Sequence, residues 1–134
     1  MKRVVLVVVC LSVLIIACGS PAEVGDAGKA VQQFYKYLND GNHDAAFGMY
    51  SSEVRQMLQS IDGGRDESFS TWAQTESREG AIDEVKIVAE EVDEGAGEAT
   101  VHFELNYSSG EPETRIVVLL KEEDRWKLGF IDVE

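Results

Sequence analysis

The second half of the sequence alternates between apolar and polar residues, the period expected of β-strands with one buried face. The alternation is clearest from Glu98 to Tyr107, where odd-numbered residues are apolar and even-numbered residues are polar. Comparable runs cover Ile82 to Glu91, Thr114 to Lys121 and Arg125 to Ile131. Short turn-forming segments rich in Asp, Glu, Gly and Ser separate the runs, so we predict four antiparallel strands connected by hairpins.

The same alternation predicts which side chains face the core. In the Glu98–Tyr107 strand the odd-numbered residues face inward, which directs His102 and Glu104 outward. In the other strands we assign the inward direction to one continuous apolar set. The predicted inner face comprises Val85, Ile87, Ala89, Val101, Phe103, Leu105, Ile116, Val118, Leu120, Trp126, Leu128 and Phe130.

The preceding segment has the 3.6-residue period of amphipathic helices. The spacing predicts a first helix from Asp26, its N-cap, to Asn39, with Val31, Phe34, Tyr35 and Leu38 on its buried side. A second helical stretch begins near His43 and is interrupted at Ser51-Ser52, and a short third helix contains Phe69 and Trp72. Helices followed by a meander predict an α+β fold, with N-terminal helices packed on one face of a four-stranded sheet.

The first residues have the pattern of a signal peptide and not of a folded element. Lys2 and Arg3 give it a positive start. The apolar run from Val4 to Ala17 is shorter than the roughly 20 residues needed to span a bilayer. We therefore assign residues 1–17 to a signal peptide, 18–25 to a tether and 26–134 to the domain.

The residues Ile15-Ile16-Ala17-Cys18 resemble the lipobox of bacterial lipoproteins. The resemblance implies that Cys18 carries lipid and becomes the first residue after cleavage. Gly19 and Ser20 follow the cysteine. Neither is the aspartate that would resemble the inner-membrane retention signal of Gram-negative lipoproteins, so the outer membrane is expected in a Gram-negative envelope. The domain then lies on the extracytoplasmic side, held to the membrane through Cys18.

Charge and cysteine content exclude several classes of function. Cleavage removes Lys2 and Arg3 and no acidic residue, so the formal charge changes from −13 to −15. Phosphate backbones would be repelled by such a domain, which argues against nucleic-acid binding. With Cys10 removed and Cys18 acylated, the domain has no thiol for a disulfide, a zinc site or a nucleophile.

The segment from Ala30 to Ala46, AVQQFYKYLNDGNHDAA, resembles the first helix and turn of nuclear-transport-factor-2-like (NTF2-like) domains. Arg125-Trp126-Lys127-Leu128 resembles their last strand. The resemblance covers Asp26 to the end and implies a cystatin-like cone, a curved antiparallel sheet wrapped around the first helix, often with a pocket between them. The superfamily includes ketosteroid-isomerase-like and polyketide-cyclase-like enzymes as well as binding and dimerising modules, so the fold does not select the function.

Related enzymes resemble each other in placing an acid, a His or a Tyr on the inner sheet surface. We predict a candidate pocket lined by Tyr35, Trp72, Phe103 and Tyr107, whose two tyrosines are its polar groups, and we predict no catalytic residue. His102 is interpreted as an outward surface residue and His43 as a helix-start residue. The two histidines lack metal-ligand spacing, so we predict no metal and no cofactor.

One group of apolar residues is not needed to form the predicted core. On the predicted outer face of the third strand, Val117 and Leu119 lie between Arg115 and Lys121, and Val88 and Ile131 extend them on neighbouring strands. Such a patch indicates either a partly covered central strand or an interaction face.

Two functions remain open at this point. The first is an envelope lipoprotein whose non-enzymatic domain binds a second copy, another envelope protein or a small apolar ligand. The alternative is an isomerase- or cyclase-like enzyme acting on a small hydrophobic molecule in the cone, which requires a carboxylate or an imidazole inside it.

Overall fold

The structure is a computed structural model that describes residues 23–60 and 81–133. Three helices come first: α1 (Asp26–Asn39), α2 (His43–Gly48) and α3 (Ser52–Ser60). Four strands follow: β1 (Ile82–Asp93), β2 (Glu98–Tyr107), β3 (Glu113–Glu122) and β4 (Arg125–Val133). The strands form a curved antiparallel sheet in the order β1-β2-β3-β4, so the predicted α+β fold is confirmed. Cys18 and the helix predicted around Phe69 and Trp72 lie outside the described residues.

Helix α1 has the predicted bounds, and its predicted apolar residues are buried. The predicted N-cap is wrong by one residue, because Gly25 precedes the first turn and Asp26 lies within it. The amide of Gly25 donates to Oε2 of Glu90 at 3.0 Å, so the helix start is attached to β1. At the other end, the side chain of Asn39 hydrogen-bonds both the N–H and the carbonyl oxygen of Ile82. The helix is therefore fastened to β1 at both ends.

The predicted orientation of β2 is confirmed. Ala99, Val101, Phe103 and Leu105 are buried. His102 and Glu104 are only half-buried and belong to the opposite face.

The predicted orientation of β3 is wrong. Arg115, Val117 and Leu119 point into the core with 7%, 1% and 0% of their surface exposed. The pairing explains this, because Val117 lies opposite buried Val101 and Leu119 lies opposite buried Leu128, and opposed residues share a face. Ile116, Val118 and Leu120, which were assigned inward, face outward instead.

Two β-bulges change the predicted direction of further residues. The β1 bulge lies between Ile87 and Ala89, so Ala89 is exposed and Glu90 takes the inward position opposite Val101. The β4 bulge leaves Gly129 and Phe130 opposite Val118. Phe130 is consequently 51% exposed although it was predicted inward, and Ile131 packs against the core although it was predicted outward.

The core lies between α1 and the inner sheet face. Phe34 packs edge-on against Tyr35 and Tyr50, with ring centroids 5.2 and 5.1 Å apart. Met49 and Ser51 exchange backbone hydrogen bonds with Leu128, so this short segment covers part of the free edge of β4. One end of the sheet therefore carries the start of α1 and the β1–β2 and β3–β4 hairpins, and the other end carries Asn39, Ile82 and the β2–β3 connection.

Candidate functional site

Two of the predicted pocket residues meet in the core. Tyr35 from α1 and Phe103 from β2 are 1% and 0% exposed, and their ring centroids are 5.6 Å apart. Tyr107 lies at the end of β2 and is half-buried. Trp72, the fourth predicted residue, lies outside the described residues.

Tyr35 and Tyr107 are connected through two residues that the sequence analysis did not select. Nη1 of Arg115 donates to the hydroxyl of Tyr35 at 3.2 Å, and Nη2 donates to Oε2 of Glu113 at 2.8 Å. The hydroxyl of Tyr107 donates to the same Oε2 at 3.1 Å. We name Tyr35, Tyr107, Glu113 and Arg115 the interior polar cluster. Glu113 and Arg115 share a face because they are two residues apart on β3.

The cluster keeps Glu113 ionised. Burial raises the pKa of this carboxyl, but the hydrogen bond and positive charge of Arg115, together with the Tyr107 hydroxyl, outweigh it and hold the pKa below its ordinary value. The Glu113 side chain is 26% exposed and that of Arg115 is 8% exposed. The cluster is thus a largely buried ion pair bordered by two phenols.

The chemistry of this arrangement favours binding over proton transfer. A carboxylate with a lowered pKa is a weak general base near neutral pH. Phenol hydroxyl and guanidinium groups can orient a polar or anionic group of a ligand. Among residues 23–60 and 81–133, no group of three or more His, Cys, Asp or Glu side chains could hold a metal ion.

A groove runs beside the cluster between α1 and the start of β1. Its volume is about 400 Å³, and Tyr35 forms part of its wall. Gln32 donates to the carbonyl oxygen of Val85 at 3.1 Å and limits the groove on one side. The remaining lining residues are mostly polar: Lys36, Asn39, Asp40, Asp83 and Glu84, with Ile82.

The predicted interaction face must be corrected. Val117 and Leu119 lie in the core, and Ile131 packs against it, so these three cannot form an exposed patch. Val88 is 59% exposed, as a surface patch requires. We name the apolar residues that do lie on the outer side of the sheet the outer apolar strip: Val88, Ile116, Val118, Leu120 and Phe130.

The two histidines lie where the sequence analysis placed them. His102 is on the outer side of β2, opposite Ile116, and is half-buried. His43 is the first residue of α2, whose N-cap Asn42 accepts a hydrogen bond from the amide of Ala45 at 3.3 Å. No helix within the described ranges is long and apolar enough to cross a membrane.

The sequence matches the family described as "Domain of unknown function (DUF4878)" over residues 16–129. The chain belongs to this family. None of the curated proteins compared with the chain matches it.

Solved structures resemble the fold at low sequence identity. A Campylobacter jejuni protein described as a "Putative NTF2-like transpeptidase" has a TM-score of 0.57 and 13% identity, covering 78% of this chain and 97% of that one. An NTF-2 like protein of unknown function from Shewanella oneidensis has a TM-score of 0.54 and 16% identity, covering 81% and 95%. A SEC-C motif containing protein from Rhodopseudomonas palustris has a TM-score of 0.56 and 15% identity, covering 78% and 76%. These likenesses show that the fold is NTF2-like.

Proposed function

We propose that the protein is a lipid-anchored component of the cell envelope whose NTF2-like domain docks another protein chain through the outer face of its sheet. The observation that carries the proposal is the exposure of Phe130 and Val118, 51% and 38%, on a sheet face that the three described helices leave uncovered. Apolar residues gathered on one surface are typical of interaction sites. The interior polar cluster supports binding rather than catalysis, because its carboxylate is already paired with Arg115.

The lipobox-like residues before Cys18 support the anchor. The family match begins at Ile16, so this segment belongs to the part that the chain shares with its family. Gly19 to Gly25 are seven residues and reach about 25 Å when fully extended. The domain would therefore stay close to the bilayer, with the start of α1 nearest to it.

The anchor is tested by replacing Cys18 in the full chain. In bacteria grown with labelled palmitate, the wild-type chain should take up label and sediment with membranes, whereas Cys18→Ser should do neither. Cys10→Ser is the matched control, because Cys10 lies in the segment that cleavage removes, and it should behave as wild type. Label on Cys18→Ser would contradict the proposal.

The docking face is tested by a photo-crosslinking residue placed at position 130 in cells. We expect discrete adducts from position 130 and none from position 57, because Met57 is similarly apolar and exposed but belongs to α3. Val118→Lys should remove the adducts at position 130 because it places charge beside that residue. Equal adduct patterns from positions 130 and 57 would contradict a docking role.

The alternative function is an isomerase- or cyclase-like activity on a small hydrophobic molecule, and the interior polar cluster contains the groups that such an enzyme would use. Such an enzyme needs a carboxylate inside the cone, and Glu113 is joined to Tyr35 through Arg115. Glu113 would take the α-proton of the substrate and return it to the γ-carbon, and the hydroxyl groups would stabilise the intermediate oxyanion.

This second function is tested with a β,γ-unsaturated cyclic ketone, whose conversion to the conjugated isomer is followed by ultraviolet absorbance. Turnover by the wild-type chain that disappears in Glu113→Gln and falls strongly in Tyr35→Phe would establish it. Glu53→Gln, an exposed change on α3, serves as the control. Absence of wild-type turnover leaves binding as the function of the domain.

A further inference from the structure

We propose that a pocket between the start of α3 and the β3–β4 turn binds a phosphate group through Arg55, Arg125 and Lys127. The pocket has a volume of about 430 Å³, and the three cations share its wall with Ser52, Glu122 and Glu123. None of these residues belongs to the outer apolar strip. The pocket is therefore distinct from the docking face proposed above, and either can exist without the other.

The cations of this pocket differ from most others in the protein because they form no ion pairs. Among residues 23–60 and 81–133, the lysine and arginine side chains that do form one are Lys29, Lys36, Arg115 and Lys121. Those that form none within the same ranges are Arg55, Lys86, Arg125 and Lys127. Three of these four line one pocket, although the chain has 25 acidic residues. A concave surface lined by unneutralised cations concentrates anions.

Arg55 has a donor that the fold does not use. Its Nη2 donates to Oγ of Ser52 at 3.2 Å, whereas its Nε is buried and has no acceptor among the described residues. An unpaired buried N–H is costly, and most costly on a charged group. The N–H groups of a guanidinium lie in one plane at a spacing that matches two oxygens of a phosphate. Arg55 is therefore suited to bind an oxyanion.

The two carboxylates in the wall leave the cations available. Glu122 accepts from the amide and the hydroxyl of Ser52, both at 2.9 Å, so neutral donors occupy its two oxygens. The backbone hydrogen bond from Ser52 is the main cause that lowers the pKa of Glu122, and the charges of Arg55 and Lys127 add to it. Glu123 is exposed at the turn, where water and salt screen its charge.

Strand β4 supplies the other two cations. Nζ of Lys127 donates to the carbonyl oxygen of Gly48 at 2.7 Å, and an ammonium has three donors, so two remain for a ligand. Arg125 is exposed, and its side chain makes no hydrogen bond within the described ranges. Two guanidinium groups and one ammonium fit a phosphate, which has more acceptor oxygens and more negative charge than a carboxylate.

The negative charge of the chain limits the ligand to a single phosphate group. A nucleic acid presents phosphates along its whole length, and the acidic surface beyond the pocket would repel them. A single phosphate needs only the local site, because exposed charges farther away than about 8 Å are largely screened at physiological salt. Its source is either a soluble phosphate ester or the headgroup of a lipid.

The experiment follows the arginine Nε–H signals of the full ¹⁵N-labelled chain in mild non-ionic detergent by NMR. Glycerol 3-phosphate is the soluble probe, and phosphatidic acid added to the micelles is the lipid probe. The signals that disappear in Arg55→Gln and Arg125→Gln should shift in a saturable way in the wild type. The signal of Arg115, which is held by Tyr35 and Glu113, should not shift. The probe that saturates the shift at a concentration about tenfold lower identifies the source of the phosphate, and equal saturation by both shows that the site recognises the phosphate alone.

Two variants test whether this pocket is the binding site. Arg125→Gln should weaken phosphate binding by about tenfold, because it removes a charge-assisted hydrogen bond. It should not disturb the fold, because the side chain is exposed and makes no contact that folding needs. Lys86→Gln is the matched control, since Lys86 is also a cation without an ion pair but lies on β1, and it should bind as wild type. Absence of a saturable shift with either probe, or equal weakening by both variants, would overturn the proposal.

Discussion

Arg115 carries a permanent charge inside a core of aliphatic and aromatic side chains. Removing such a charge from water costs several kcal/mol unless hydrogen bonds and an opposite charge offset it. Glu113 supplies the charge and Tyr35 supplies a hydroxyl acceptor. The arginine thus joins the first helix to the third strand at the level of Phe103, and this connection depends on Glu113.

At the residue scale, loss of the Glu113 charge should destabilise the fold. Glu113→Gln keeps the shape of the side chain but leaves the Arg115 guanidinium without a carboxylate, so we expect a loss of about 2 kcal/mol. Urea unfolding followed by circular dichroism measures it. The control Glu53→Gln, on the exposed side of α3, should change the free energy of unfolding by less than about 0.5 kcal/mol. Equal effects of both variants would contradict a structural role for the pair.

The lowered pKa of Glu113 predicts a pH dependence of stability. The folded state holds this pKa below its ordinary value of 4.5, so the unfolded chain takes up the proton first as pH falls. The contribution is complete above pH 4.5 and is lost as pH falls through the folded pKa. The difference in unfolding free energy between wild type and Glu113→Gln should therefore be constant above that value and shrink below it. A difference that grows in acid would be contrary to this assignment.

At the element scale, the strands differ in how well the sequence predicts which of their faces is buried. The orientation of β2 is readable because only one of its faces is apolar. Both faces of β3 are apolar, since Val117 and Leu119 alternate with Ile116 and Val118. The charged residue Arg115 shares a face with Val117 and Leu119, so the sequence wrongly predicts that this face points outward. The signal that resolves it is the turn, because a two-residue loop between Glu122 and Arg125 pairs Leu119 with the inward Leu128.

The bulges in β1 and β4 limit how well the sequence predicts side-chain direction in these strands, and therefore the residues of the interaction face. One extra residue reverses every later side chain, which is why Ala89 and Phe130 turn outward. In β4 a local signal exists, because a glycine inside a strand often marks a bulge, and Gly129 occupies this one. No comparable residue marks the bulge at Ile87 and Ala89. The outer apolar strip could therefore be predicted as a class of surface but not residue by residue.

The bulge in β4 requires glycine at position 129. A Cβ there would lie 2.6 Å from the carbonyl oxygen of Val118, a backbone atom that cannot rotate away. Gly129→Ala should destabilise the protein by about 1–3 kcal/mol as the two strands separate locally. Gly48→Ala is the control, because a Cβ at Gly48 meets no atom within 4 Å. Thermal unfolding compares the two variants, and equal melting temperatures would show that the bulge can adjust without cost.

The β3–β4 turn is strained and can be improved. Glu123 and Asp124 have φ angles of 50° and 62°, which both positions of a type I′ turn require but which non-glycine residues adopt at a cost. Replacing them together by Asn and Gly should stabilise the fold by about 1 kcal/mol, measured by urea unfolding. The control Ser109→Gly alters a different hairpin and should give no such gain. A destabilised Asn-Gly variant would indicate that the two acidic side chains contribute contacts of their own.

At the scale of the whole molecule, the start of α1 is the point at which the proposed tether would join the domain. Gly25 and Gly28 allow the helix to lie directly on β1, since a Cβ at either would come within 3 Å of Glu90. The opposite helix end is held by Asn39 and Ile82. Because α1 is held at both ends, the proposed tether would leave from a fixed point at the end of the sheet that carries the start of α1, and the orientation of an anchored domain would follow from its fold.

The proposed anchor would make membrane attachment and docking reinforce each other. Lipid on Cys18 would confine the domain to one surface, which raises its effective concentration for a partner held at the same membrane without any new contact. Adducts from a photo-crosslinker at position 130 should therefore be fewer for Cys18→Ser than for the anchored chain at equal copy number in cells. Cys10→Ser should leave the adduct yield unchanged. Equal yields from the anchored chain and from Cys18→Ser would mean that docking does not depend on the membrane.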